Sequence, residues 1–336
     1  MSDRVQTASV TMAEIASQAG VSKATVSRSL AGSSLIGKEV REKIESIATE
    51  LGYQRRTVKR PAERSILTIK LVLPPITNRT ARLFYSFTDL VTGLQDGLTP
   101  AGMNLVVETN GPDYNPFSHK KSGEVEGFVF AFHRPSAKTL TQIKAAGSQA
   151  IVLNRSVRGL PCVLSDHAHA MELIAEHLRE KNITKNCTFI TYSGIKDVSS
   201  ARLKGFTKAA KTHGIQFDPE RDLLSLDEPS SLTPQHLINL HREGTRTIIG
   251  VNDIIASLLV QNASQAGLKT PQDLRITGCD NGPSRNITVP LPTSVDLSIR
   301  RLAEEAGRHL CHQIVENTTP QLLTLVKGTL LPGHTT

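Results

Sequence analysis

The chain has 336 residues, enough for two or three domains with their own cores, and carries a formal charge of +8 with 4% aromatic residues and no tryptophan. Half of that charge sits in the first 64 residues, where eleven Lys/Arg oppose seven Asp/Glu, a bias that suits a polyanionic partner for the N-terminus. No apolar run approaches the roughly 20 residues of a membrane span, the start MSDRVQTASV has no apolar signal core, and four scattered cysteines without a CxxC pair argue against a disulfide frame, so a soluble cytoplasmic protein with reduced thiols is expected.

The first organised stretch is TMAEIASQAGVSKATVSRSLAG. Thr11 and Glu14 have capping-box spacing at the start of a helix over Met12–Ala19, with Ile15, Ala16 and Ala19 on one face. Gly20 is placed to end it in a left-handed conformation, and Val21 to fill the angle with the next helix. Ser22 caps that second helix, which runs to about Ala31 with Val26 and Leu30 inward. Lys23, Ala24, Thr25, Ser27 and Arg28 are left outward. A third helix over Ile36–Leu51 has Val40, Ile44, Ile47, Ala48 and Leu51 on one stripe, and Gly52 ends it. Two helices around a glycine turn, with a small, polar and basic outer face, have the layout of a helix-turn-helix DNA reader; by itself the pattern fits a plain three-helix bundle equally well.

The strings GVSKATVSRSLAG and EVREKIESIATELGY resemble, without a gap over about fifty residues, the headpiece of the lactose-repressor (LacI/GalR) family. The resemblance implies that Lys23 and Ala24 discriminate operators, that Arg28 makes a shared base contact, and that Ser22, Thr25 and Ser27 bind phosphate; Thr11 joins them at the helix start. Arginine can hold guanine bidentately, lysine can approach the same acceptors, and the Ala24 methyl can touch thymine. Ala31 departs from the asparagine that relatives often carry. The headpiece is assigned to residues 1–53.

Residues 54–65 follow as a basic segment with Arg55, Arg56, Lys59, Arg60 and Arg64. It reads either as a solvated linker or as a tether along DNA phosphates at the minor groove. The resemblance implies a hinge helix that inserts a leucine between base pairs. Arg60 matches, whereas Pro61 stands where a helix-capable serine is expected and Ala62 where the leucine is.

From Leu67 onward strands and helices alternate. Strands are expected at Leu67–Val72, Asn104–Glu108, Gly127–Phe132, Ala150–Leu153, Cys162–Ser165, Cys187–Tyr192, Thr247–Gly250 and Arg275–Cys279. Helices are expected near Arg82–Leu98, Lys138–Ala146, His169–Lys181, Ser199–His213 and Asp253–Ala266. The alternation means parallel sheets covered by helices, an α/β class after the all-α headpiece. The stretches GLKTPQDLRITGCDN and LPTSVDLSIRRLAEEAGRHL also resemble the family, which implies two doubly wound lobes in periplasmic-binding-protein style joined by three crossovers. The expected effector-binding and dimerisation domain is 66–332, with lobe 1 about 66–163 and 296–322 and lobe 2 about 164–295 and 323–332. GPDYNPFSHKKSGE stands where relatives have a full helix; it is either a helix of one or two turns or a loop.

The resemblance places Arg202 at the effector, and Asp253 opens a helix just after a strand end, where open α/β sheets bind ligands. Asp253 reads equally as a helix cap and Arg202 as a surface ion pair. Asn78 and Phe84 in the loop after the first strand, Asn154 and Tyr192 complete the expected set, with Asn110, Arg155 and Asp280 as weaker candidates. Asp, Arg and Asn beside an aromatic suit a polyhydroxylated ligand such as a sugar. His167, His169 and His177, and His309 with Cys311 and His312, look superficially metal-like, but nothing fixes three or four converging ligands, so no metal and no cofactor are expected.

No GxGxxG follows a strand into a helix, and neither a P-loop nor a GxSxG elbow occurs, so an enzyme has no residues to rest on. A transport-type sugar receptor would leave the headpiece unused. The expectation is a transcriptional regulator, a repressor, that binds a pseudo-palindromic operator in double-stranded DNA as a homodimer under the control of a small carbohydrate effector.

Overall fold

A computed structural model describes residues 12–30, 36–51, 66–75, 85–99, 101–118, 124–316 and 322–336. The chain divides into two compact units, Met1–Arg60 and Pro61–Thr336.

The first unit packs α1 (Met12–Ala19), α2 (Lys23–Leu30) and α3 (Lys38–Glu50) around Ile15, Ala16, Ala19, Val26, Ile44 and Ala48. Gly20 takes φ +69°, which lets the Val21 amide return to the Ala16 carbonyl at 3.1 Å and close α1. Ser22 caps α2, its Oγ accepting from the Thr25 amide at 3.1 Å. Val40, expected on the inner stripe, is 38% exposed. It lies in the first turn of α3, and the packed stripe of that helix starts one turn later at Ile44. Thr11, Gly52 and the whole linker lie outside the described residues.

The second unit holds two parallel sheets. The first runs in the order β11-β5-β4-β3-β1-β2, built from β1 (Ile66–Leu73), β2 (Gly102–Thr109), β3 (Gly127–Ala131), β4 (Gln149–Leu153), β5 (Cys162–Ser165) and β11 (Leu323–Val326). The second runs β7-β6-β8-β9, from β6 (Cys187–Tyr192), β7 (Leu223–Leu226), β8 (Thr247–Gly250) and β9 (Arg275–Thr277). A short antiparallel pair, β10 (Ser294–Asp296) with β12 (Thr329–Leu331), lies where the chain passes between the lobes. Burial on both faces explains why strands such as ILTIKLVL and CTFITY are nearly continuous apolar runs.

Helices α4 (Phe87–Gly97), α5 (Ala137–Ala145) and α10 (Ile299–Cys311) serve the first lobe; α6 (His167–Glu180), α7 (Lys196–Thr212), α8 (Pro234–Arg242) and α9 (Asp253–Gln265) serve the second. The chain crosses between lobes after β5, between β10 and α10, and after β11, as the resemblance implied. The lobe boundaries differ from expectation. Leu323–Val326 pairs in parallel with Cys162–Ser165 in the first sheet, so 164–165 and 323–326 belong to lobe 1.

Helices α4 and α10 meet backbone to backbone. A Cβ added at Gly97 would stand 2.0 Å from the Glu304 carbonyl oxygen, one at Gly93 2.2 Å from that of Arg300, and one at Gly307 2.7 Å from that of Leu94. The N-terminal ends of these two helices reach the cleft, so the glycine contact sets where Tyr85 and Ile299 stand. In the stretch where relatives have a helix, the described residues 110–118 form turns and no helix. Lys70, fully buried in β1, donates to Glu108 at 2.6 Å and to the Pro116 carbonyl at 2.8 Å, and the Tyr114 hydroxyl donates to Glu108 at 2.9 Å. A buried ammonium captures a loop carbonyl that a helix would have paired internally. Two further elements lie outside the expected set: β7, a short edge strand with one buried residue, and α8, which Thr233 and Pro234 open.

Candidate functional site

In the first unit the capped start of α2 leaves Lys23 exposed and Thr25 half-buried, its hydroxyl 2.9 Å from that of Ser22. The α2 N-terminus thus carries a cation and two hydroxyls at one end of the helix, features that dock on phosphates and base edges. The side chains of Ala24, Ser27 and Arg28 lie outside the described residues, as do Thr11, Arg55, Arg56 and Arg60.

In the second unit the strand ends of both sheets enclose a cavity of about 310 Å³. Lobe 1 contributes Tyr85 at the start of α4, Phe132 after β3, and Asn154 and Arg155 after β4. Lobe 2 contributes Tyr192 at the end of β6, Arg202 from α7, Asn252 after β8 and Asp280 after β9, with His167 opening α6 and Leu297 and Ile299 at a crossover. Ligands bind outside the carboxyl ends of parallel strands because loops there can vary without disturbing the sheet. Phe132, Asn154 and Asp280 have positive φ values of 66°, 58° and 110°. Such conformations are costly for residues with side chains and persist where the surrounding structure enforces them, often at ligand sites.

The lining divides into an aromatic wall and a polar floor. Tyr85 and Phe132 stack with ring centroids 4.2 Å apart, offering a flat apolar face. On the floor, Arg202 is 2% exposed, donates from Nη1 to the Val251 carbonyl at 2.6 Å, and pairs through Nη2 with Asp280. Its Nε donates to His167 Nδ1 at 3.4 Å, which leaves the proton of the neutral imidazole on Nε2. Burial, reinforced by Arg202 and Arg155, pushes His167 down to about 3, so it stays neutral at physiological pH. Burial raises Asp280, and Arg202 opposes that rise. Tyr192, pushed up to about 12 by burial, accepts from the Asn252 amide at 3.1 Å and keeps its own O–H. Asn252 is the true cap of α9, its Oδ1 accepting from the Ile255 amide at 3.1 Å.

Asp253 corrects the expectation. It does not line the cavity: at 1% exposure, its carboxylate accepts from the Gly282 amide at 2.9 Å and the Ser294 hydroxyl at 2.7 Å. It staples the start of α9 to the 278–294 segment, one residue past the position that faces the cleft. Burial, with Asp280 nearby, pushes it up to about 7. Arg202, Asn154 and Tyr192 are brought together as expected, with Arg155 and Asp280 from the weaker set. Asn154 accepts from the Ser165 amide at 3.1 Å, which fixes its orientation. Asn78 and Phe84 lie outside the described residues. Tyr85, Phe132, His167 and Asn252 were missed; Asn252 could have been found, since asparagine is as good a cap as aspartate. Cys279, just past the end of β9, is fully buried, and the aromatic wall comes from the other lobe.

Of the other histidines that look metal-like, His177 bonds Thr336 at 2.8 Å and His309 bonds Thr324 at 3.0 Å. Across the cleft mouth, exposed Arg134 of lobe 1 donates to Asp197 of α7 at 2.7 Å. None of the described helices is long and apolar enough to cross a membrane.

Residues 11–56 match the family described as bacterial regulatory proteins, lacI family, and residues 175–336 match the periplasmic binding protein-like domain. The ribose operon repressor of Halalkalibacterium halodurans is 28% identical over 316 residues, covering 90% of each chain. Among solved structures, the CelR–cellobiose complex superposes with a TM-score of 0.64 at 20% identity, covering 97% of this chain and all of that one. The lac repressor dimer bound to operator and the anti-inducer ONPF gives 0.58 at 18% identity, covering 98% and 99%. This chain therefore joins a segment that matches the lacI family of bacterial regulatory proteins to a periplasmic-binding-protein-like domain, and is similar over most of its length to LacI-type regulators.

Proposed function

We infer that this LacI-type regulator is a cytoplasmic repressor that binds a pseudo-palindromic operator as a homodimer and answers to a sugar or sugar derivative held between its lobes. The observation that carries the reading is the cavity: an aromatic face opposite Arg202, Asp280, Asn252 and Tyr192, drawn from both lobes. Aromatic faces take the apolar side of a sugar ring, and bidentate or paired polar groups take its hydroxyls. A ligand gripping both lobes favours one lobe arrangement over the other, and its differential affinity is what shifts DNA binding. The relatives support the class of effector, since one represses a ribose operon and another is a complex with cellobiose.

On the DNA side, Lys23, Ala24 and Arg28 are assigned to base edges and Ser22, Thr25 and Ser27 to phosphates, with Thr11, Arg55, Arg56 and Arg60 adding backbone contacts. Two headpieces are required because one such module reads a half-site. The relatives favour regulation over catalysis, and no cofactor or metal is assigned.

The test is selection of bound sequences from random duplex DNA with the full-length chain, followed by binding titrations at several salt concentrations. A palindromic consensus and a log–log slope near −0.9 per neutralised phosphate are expected. Binding that shows no consensus and no salt dependence overturns the DNA-binding reading. Loss of operator affinity on adding one of a panel of sugars supports the effector reading.

A further inference from the structure

The cavity holds more free hydrogen-bond donors than acceptors, whereas each hydroxyl of a neutral sugar brings a donor that needs an acceptor. Arg202 and Asp280 neutralise each other, whereas among the described residues no carboxylate lies within ion-pair distance of Arg155, whose guanidinium donates from Nη1 to the Asn154 carbonyl at 2.6 Å. The other guanidinium N–H groups of Arg155, Nε2–H of His167, the Tyr192 hydroxyl and the second amide hydrogen of Asn252 have no acceptor among the described residues. Against these donors the floor offers one acceptor of note, the Asp280 carboxylate. The charge balance inside is two guanidiniums to one carboxylate. Asp227 and Glu228 also line the cavity, but at its exposed rim, where water and salt screen them within a distance of about 8 Å.

We propose that the effector is an oxyanion-bearing monosaccharide, a sugar acid or a sugar phosphate, whose anionic group binds Arg155 and the neutral His167 while its hydroxyls face the aromatic wall and the acidic rim. The inference rests on the cleft being the effector site. Burial, followed by repulsion from Arg134, works against the charge of Arg155, with Asp197 partly offsetting it, and a bound anion relieves that cost. A guanidinium can hold two oxygens of a carboxylate or phosphate in parallel, a geometry no hydroxyl matches. The acidic rim sets the orientation, since an anion at the mouth would face Asp227 and Glu228. A cavity of about 310 Å³ limits the ligand to about one sugar ring.

The test is calorimetric titration of the full-length protein with matched probes: glucose, gluconate and glucose 6-phosphate, then ribose, ribonate and ribose 5-phosphate. At least one acidic probe is expected to bind about tenfold or more tightly than its neutral parent, with affinity that falls on adding salt. The carboxylate and phosphate arms tell the two sources apart. Arg155→Gln should erase most of that preference and Arg155→Lys should retain much of it. A neutral sugar that binds as well as or better than its acidic partners overturns this inference and leaves the effector cleft standing. Binding of none of the six overturns both readings. An acidic preference that survives intact in Arg155→Gln overturns the role given to Arg155.

Discussion

The headpiece and the effector cavity solve recognition in opposite ways. In the headpiece a small core of Ile15, Val26 and Ile44 holds three helices, and Lys23, proposed to meet DNA, is exposed outside it. In the cavity the residues proposed to meet the effector are themselves hydrogen-bonded into the lobe: buried Arg202 holds the Val251 carbonyl and Asp280, and buried Asn252 caps α9 and orients Tyr192. Recognition and stability should therefore separate in the first region and be inseparable in the second.

The largest effect is expected from Arg202→Ala. It strands a mostly buried carboxylate at Asp280 and a backbone carbonyl at Val251, a loss of about 3 kcal/mol from the second unit in denaturant unfolding, with effector binding abolished. Lost binding with unchanged stability would break the comparison, because Arg202 would then serve the ligand alone. Gly97→Ala comes next, at about 1–3 kcal/mol, because its methyl would collide with the Glu304 carbonyl at 2.0 Å and force α4 and α10 apart. It should also weaken ligand binding, although Gly97 touches no ligand, by displacing Tyr85 and Ile299. Retained melting temperature and retained affinity would show that the helix contact does not set the aromatic wall.

Asp253 sharpens the comparison through pH. Its folded pKa of about 7 lies above the unfolded value, so the folded state holds the proton more tightly. Stability from this group is therefore present at acidic pH and lost as pH rises from about 4 to about 7. Asp253→Asn should flatten part of that slope between pH 5 and pH 7.5 in thermal melts, and should alter ligand affinity only through the positions of Asn252 and Asp280. A slope identical to wild type would mean that Asp253 is ionised throughout.

The smallest stability effects belong to the headpiece. Ser22→Ala removes the cap of α2 and should cost about 1 kcal/mol in that unit alone. Lys23→Ala, at an exposed position, should stay within about 0.5 kcal/mol of wild type while changing which operators are selected. Destabilisation by Lys23→Ala comparable to that of Arg202→Ala would erase the distinction between the two regions.

The same difference governs how much could be read before the fold was known. The headpiece is contiguous and its elements are set by neighbours within a few residues. Gly20, Ser22 and the Ile15–Ala19 spacing therefore announce both helices and the turn, and Val40 misleads only because it precedes the packed stripe. Most strands of the second unit were legible for a related reason: burial on both faces demands unbroken apolar runs, whereas the edge strands β7 and β11 and the short pair β10 and β12 escaped. Arg202, Asn154 and Tyr192 could be nominated from strand ends and resemblance. That Arg202 answers to Asp280, seventy-eight residues away, could not, because the partner is chosen by sheet order. Asn252 and Asp253 show the limit most clearly. Both are cap residues at one strand–helix junction, and local chemistry does not say which faces the cleft. The packing of α9 against the 278–294 segment decides it, turning Asp253 inward to Gly282 and Ser294 and leaving Asn252 at the cavity, since a residue's direction depends on the element it packs against.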